Sequence, residues 1–98
     1  MKLTFSAKMQ TWGDDGKGWH YVRLPKDTHK DLQEIGQSMK RGFGAVKMQV
    51  TIGGSSWETS GFPDSEDKSY ILFIKKAIRV AEGINEGDKV EVSCKVLQ

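Results

Sequence analysis

Hydrophobic and polar residues alternate along most of this chain, and the alternation predicts strands. Leu3, Phe5, Ala7 and Met9 share one face of the first run, with Lys2, Thr4, Ser6 and Lys8 on the other. Trp19 to Leu24 forms a second run, ended by Pro25, which cannot donate to a ladder. Between them, Gly13-Asp14-Asp15-Gly16-Lys17-Gly18 is rich in residues that tolerate positive φ, so the first two strands are expected to pair antiparallel across a turn. The clearest strand is Val46 to Ile52, where Val46, Met48, Val50 and Ile52 point one way and Lys47, Gln49 and Thr51 the other. Gly53-Gly54 then predicts a tight hairpin into Ser55 to Phe62. Tyr70 to Ile74 is an apolar run, and Val90, Val92, Cys94 and Val96 line one face of a last strand.

Two short helices interrupt the strands. Asp27 or Thr28 is placed to cap a helix through Ile35, with Asp31 completing a Thr-x-x-Asp capping pattern and Gly36 as its stop. Lys75 to Glu82 has helical preferences and ends at Gly83, and Asn85-Glu86-Gly87-Asp88 turns the chain into the last strand. Six short strands and two short helices protect their edges best by curling up. The expected fold is mainly β, a small closed or nearly closed antiparallel six-stranded barrel with two short helices. An open α+β sheet with one helix-covered face is the alternative.

The length of 98 residues fits one domain spanning residues 1–98 with one modest core. An apolar fraction of 37%, with three Trp, four Phe and two Tyr, marks a chain that folds rather than one that stays disordered. The net charge of +2, from fifteen Lys and Arg against thirteen Asp and Glu, gives little support to a dedicated nucleic-acid module, which ordinarily carries a strongly basic face. The single cysteine, Cys94, excludes an intramolecular disulfide. No long apolar stretch is present and the first residues lack the apolar region of a signal peptide, so a cytoplasmic location and no membrane partner are expected.

Motifs distributed over nearly the whole chain carry a resemblance. Gly18-Trp19-His20-Tyr21-Val22 with Leu24-Pro25, Arg41-Gly42-Phe43-Gly44, Val50-Thr51-Ile52-Gly53-Gly54, Trp57-x-Thr59-Ser60-x-Phe62-Pro63, Tyr70, Lys75 and Ala81-Glu82-Gly83 followed by Gly87-Asp88 are the residues concerned. In this order and spacing they resemble a prokaryotic family of small β-barrel domains catalogued as a domain of unknown function. The resemblance implies a compact barrel that occurs alone or joined to a bacteriocin-protection, OmpD-associated type of domain, and it implies no established reaction. Two positions depart from the family pattern: Gly61 stands where a bulky aliphatic residue is usual, and Phe73 where a proline is common.

No catalytic, cofactor or metal signature can be assembled from the residues. His20 and His29 lie apart, without a Cys-rich or carboxylate-rich frame at metal-ligand spacing. Cys94 alternates with valines and is expected to face the core as a small hydrophobe, a setting that suppresses thiolate chemistry. Gly53-Gly54 and Gly42-x-Gly44 lack the length and ending of a phosphate loop, and Asp64 to Asp67 lacks the spacing of a calcium loop.

What remains is a set of exposed-type residues: Arg41, Trp57, Thr59, Ser60, Lys75 and Arg79. Lys75 and Arg79 fall one helical turn apart and would repel, which favours an acidic partner, unless Glu82 and nearby acids balance them. If the barrel gathers these segments, they can hold an anionic small molecule or an acidic protein segment. Trp12, Trp19, Tyr21 and Trp57 either fill the core or present rings for stacking, the feature that supports nucleic-acid binding as the alternative. An enzyme is the least supported class. The expected function is therefore a non-enzymatic binding or interaction module.

Overall fold

A computed structural model describes residues 2–12, 18–38, 44–64 and 66–97. The chain runs β1 (Lys2–Lys8), β2 (Gln10–Trp12), β3 (Trp19–Arg23), a short 3₁₀ turn (Lys26–Thr28), α1 (His29–Ser38), β4 (Val46–Ile52), β5 (Ser55–Asp64), β6 (Ser69–Phe73), α2 (Lys76–Glu82) and β7 (Lys89–Val96). The seven strands form one antiparallel sheet in the order β1-β7-β4-β5-β6-β3-β2, curved into an open half-barrel. The mainly β class and the two helices agree with expectation; a closed six-stranded barrel does not.

Met9 is where the expectation fails. The expected first run, Lys2 to Met9, lies against β7 rather than Trp19 to Leu24, and only the residues after it turn to β3; its register with β7 runs on to the preceding turn at Met9. Its N–H donates to Asp88 O at 2.9 Å and its carbonyl accepts from Gly87 N–H at 2.8 Å. The Thr11 hydroxyl donates to the Glu86 carboxylate and fastens β2 to the same turn. Before Met9, β1 pairs along its length with β7, from Lys2 opposite Lys95 to Lys8 opposite Lys89. After it, β2 pairs with β3. The expected pairing of the first run with Trp19 to Leu24 is thus not made; Gln10–Trp12, beyond that run, pairs with β3 instead.

The interior is built by the alternating positions. Val46, Met48, Val50 and Ile52 from β4, Val90, Val92, Cys94 and Val96 from β7, and Tyr70, Leu72 and Ile74 from the β6 segment are buried together with Val22, Leu24 and Met9. Leu32 of α1 and Ile78 of α2 join this core. Gly61 is buried, and a Cβ there would lie 3.0 Å from Met48 Cε, so the methionine occupies the space that a larger residue would take.

The first helix differs from expectation at its ends. Thr28, the residue before α1, closes the 3₁₀ turn, its hydroxyl donating to Pro25 O at 2.6 Å. The helix runs past Gly36 to Ser38. Gly36 is required for another reason: a Cβ there would lie 2.4 Å from Gly44 O, so the helix and the segment entering β4 meet backbone to backbone. Gly83 does end α2, in the left-handed conformation at φ 64°, as its position predicts. Glu82 ties that helix to the β4–β5 hairpin by accepting from Gly54 N–H at 3.2 Å and the Ser55 hydroxyl at 2.6 Å.

Candidate binding face

Residues directly opposite in an antiparallel pair project to the same side of the sheet. Trp12 is opposite Trp19, Tyr21 is opposite Phe73, and Phe62 is opposite Ile71. The register therefore collects five aromatic rings on the outer, convex side of β2, β3, β6 and the end of β5. Phe73 is their hub, with ring centroids 5.4 Å from Trp19, 5.9 Å from Phe62, 6.0 Å from Trp12 and 6.3 Å from Tyr21. Trp12 lies 4.9 Å from Tyr21. Tyr21 is buried under its neighbours and donates its hydroxyl to Gln10 Oε1 at 3.2 Å, whereas Trp19, Trp12 and Phe62 remain 69%, 45% and 41% exposed.

This patch departs from the rule that the solvated face of an antiparallel sheet is polar. The outer positions of β1, β7 and β4 obey it, bearing Lys, Thr, Ser, Gln and Glu. Contiguous exposed rings of this kind are unusual on the solvated face of a sheet.

One margin of the patch is electrostatically closed. The Arg23 guanidinium lies 5.5 Å from the Tyr21 ring centroid, and its Nη1 donates to Asp64 at 2.9 Å, Asp67 at 3.4 Å and Ser69 Oγ at 3.1 Å. Lys26 Nζ adds a contact to Asp67 at 3.3 Å. The hydrogen bond from Arg23 holds the Asp64 carboxyl below its ordinary value, and bonds from the Ser69 hydroxyl and from Lys26 do the same for Asp67. Asp64 and Asp67 are thus engaged with β3 through Arg23.

The other margin carries Lys75. The Ile74 N–H bond to His20 O, 2.8 Å, continues the β3–β6 register by one step beyond Phe73. Lys75, in extended backbone just before α2 and exposed, then lies across from Trp19. No ion pair engages Lys75 or Lys76 among the described residues.

Of the six residues singled out in the sequence, the five that are described do not share one face. Trp57 and Thr59 are opposite Val50 and Met48, so they take the inner face, while Ser60, opposite Lys47, takes the outer one. Arg79 is half-buried and turned inward: Nε donates to Ile74 O at 3.3 Å, and Nη1 lies 3.3 Å from His20 Nε2. A guanidinium only donates, so Nε2 of His20 can take part in this contact only as the acceptor. Lys75 and Arg79 consequently do not share a face, and Glu82, committed to the hairpin, does not balance them. Arg41 lies outside the described residues.

Of the aromatic residues considered for stacking, Trp12 and Trp19 present open rings, Tyr21 supports them, and Trp57 packs against the core. Phe62 and Phe73 were not among them. The signal for Phe73 was present in Tyr70 to Ile74, which has no polar face and so leaves apolar side chains on both sides of its strand.

Among the described residues, no three His, Cys, Asp or Glu come together as a metal set, and no helix is long and apolar enough to cross a membrane. The model of a family described as a domain of unknown function matches residues 5–94, from the middle of β1 to near the end of β7. The chain belongs to DUF1905. No curated protein matches it. The DUF1905 match encloses both margins of the aromatic face and bears out the family resemblance read from the motifs between Gly18 and Asp88.

Proposed function

We propose that this chain is a non-enzymatic binding module that receives a partner on the aromatic face of β2, β3, β6 and β5. The observation carrying this proposal is the set of five contacting rings, of which Trp19, Trp12 and Phe62 are the exposed members. Rigid aromatic side chains give large contact area at small entropic cost, the property that concentrates binding energy at protein interfaces. The charge distribution favours an acidic protein segment. Among the described residues Lys75 and Lys76 stand free of ion pairs at one margin, while Arg23 at the other is already neutralised by Asp64 and Asp67. The face thus offers apolar anchorage and one uncompensated cationic rim. We place the module in the cytoplasm and, as the family resemblance implies, in a prokaryote.

The second reading is single-stranded nucleic acid, favoured by the open rings of Trp12 and Trp19, on which bases can stack. A chemical-shift titration separates the two, using a short acidic peptide with a central Phe and, in parallel, an unstructured oligonucleotide over a salt series. The acidic peptide is expected to move the Trp12 and Trp19 indole N–H signals and the Lys75 amide, leaving the Trp57 indole unmoved. Movement by the oligonucleotide alone, with steep loss as salt rises, supports the second reading. If neither probe moves these groups, the aromatic face is not the binding surface.

A further inference from the structure

The polar part of the outer face contains a second arrangement, away from the aromatic rings. Lys95 of β7 is opposite Lys2 of β1 on one side and Gln49 of β4 on the other. Two residues earlier, Ser93 is opposite Thr4 and Thr51 in the same way. Two rows on three adjacent strands therefore hold Lys2-Lys95-Gln49 and Thr4-Ser93-Thr51, all projecting outward. With strands about 4.8 Å apart and residues two steps apart separated by about 6.7 Å, the six side chains frame an area about 10 by 7 Å. A depression of about 200 Å³ lies there, lined in part by Lys2, Lys95, Gln49, Thr51 and Ser93.

Every side chain in the frame can donate a hydrogen bond, and none is a carboxylate. Lys2 and Lys95 face each other as like charges across the ladder, an arrangement that disfavours the pair unless something negative lies between them. Among the described residues neither lysine has an ion-pair partner. The hydroxyls lie in hydrogen-bonding contact, Thr4 with Ser93 at 3.5 Å and Thr51 with Ser56 at 3.1 Å, while Gln49 Nε2 donates to Ser56 at 3.3 Å. Hydroxyl protons rotate to suit an incoming acceptor. Two ammonium groups beside hydroxyl and amide donors match a compact anion with several acceptor oxygens.

We infer that Lys2, Lys95, Ser93, Thr51 and Gln49 form a phosphate-binding site, independent of the aromatic face. The bound group is a phosphate mono- or diester, whether on a small molecule or in a polynucleotide backbone.

The test is a 15N chemical-shift titration of the full chain with inorganic phosphate, at ionic strength held constant with chloride. Gln49, Thr51, Ser93 and Lys95 are expected to shift saturably while the Trp12 and Trp19 indole signals stay fixed. Lys95→Gln is expected to weaken binding about tenfold, the loss of one charge-assisted contact. Its thermal midpoint in chloride should equal or exceed that of the natural protein, because it relieves the like-charge pair, so weakened binding is read on folded protein. Lys2→Gln should act in the same direction. A second arm with a single-stranded oligonucleotide distinguishes the source: additional affinity lost in Lys95→Gln assigns a polynucleotide, and phosphate binding alone a small molecule. Unsaturable drift, or equal phosphate affinity in Lys95→Gln, overturns the site while leaving the aromatic-face proposal untouched.

Discussion

Gly36 in α1 and Gly44 before β4 touch through their backbones, with no room between them for a methyl group: its carbon would sit 2.4 Å from the Gly44 carbonyl oxygen. Replacing a helical glycine by alanine ordinarily gains about 1 kcal/mol. Here the clash is with backbone rather than with a flexible side chain, so relief requires α1 to move off the core that holds Leu32. Gly36→Ala is expected to destabilise by about 1–3 kcal/mol, the usual range for overpacking. Urea unfolding measures it, and a neutral or stabilised variant would show that α1 moves without cost.

Trp19 is expected to separate stability from binding. Its side chain is 69% exposed, so Trp19→Ala should change the urea midpoint by less than the equivalent of about 1 kcal/mol. The same substitution should remove most binding of the acidic peptide. Phe73→Ala, which strips the hub from four ring contacts, should instead affect both quantities.

The Arg23 network sets an acid limb of stability. Asp64 and Asp67 are held below their ordinary values by Arg23 and by Ser69 and Lys26 respectively, so the unfolded chain binds protons at higher pH than the folded one. The stability they contribute is present above the ordinary carboxylate range and is lost as pH falls through it toward the lowered folded values. Urea midpoints measured from pH 7 to pH 3 should fall at the acid end. In Arg23→Gln that decline should be shallower, because Asp64 loses its principal hydrogen-bond donor.

Cys94 should be chemically silent in the folded protein. It is 1% exposed, and burial pushes its thiol up to about 12. At pH 8 its reaction with an aromatic disulfide reagent is expected to be slow and to accelerate with urea in step with unfolding. Rapid stoichiometric labelling without denaturant would show that the β1–β7–β4 region opens readily.

Much of the strand pattern was legible in the chain. The Val46 to Ile52 strand and its hairpin were clear because alternation and Gly53-Gly54 point to the same structure, and β7 because its valines and cysteine keep strict period. The break at Met9 was hidden, since the apolar alternation of Leu3, Phe5, Ala7 and Met9 runs through it without interruption. What changes beyond Met9 is the pairing partner, from β7 to β3, and the β7 partner lies far along the sequence. Gly36 misled because one residue type serves both helix ends and close backbone approach. Thr59 and Ser60 looked like partners as neighbours in sequence, yet a strand sends neighbours to opposite faces. The aromatic face was half legible through Trp12, Trp19 and Tyr21; its hub, Phe73, lay inside an apolar run that resembled pure core.

The ladder between Lys2–Lys8 and Lys89–Val96 joins the earliest and latest strands of the sheet. During synthesis, Leu3, Phe5 and Ala7 leave the ribosome long before Val90, Val92 and Cys94 exist to cover them. The first strand must wait, its edge unpaired, while every other element is made. In this chain the segment Lys2–Lys8 therefore stays without its ladder partner until Lys89–Val96 is made, an interval in which its free edge is open to misplaced pairing.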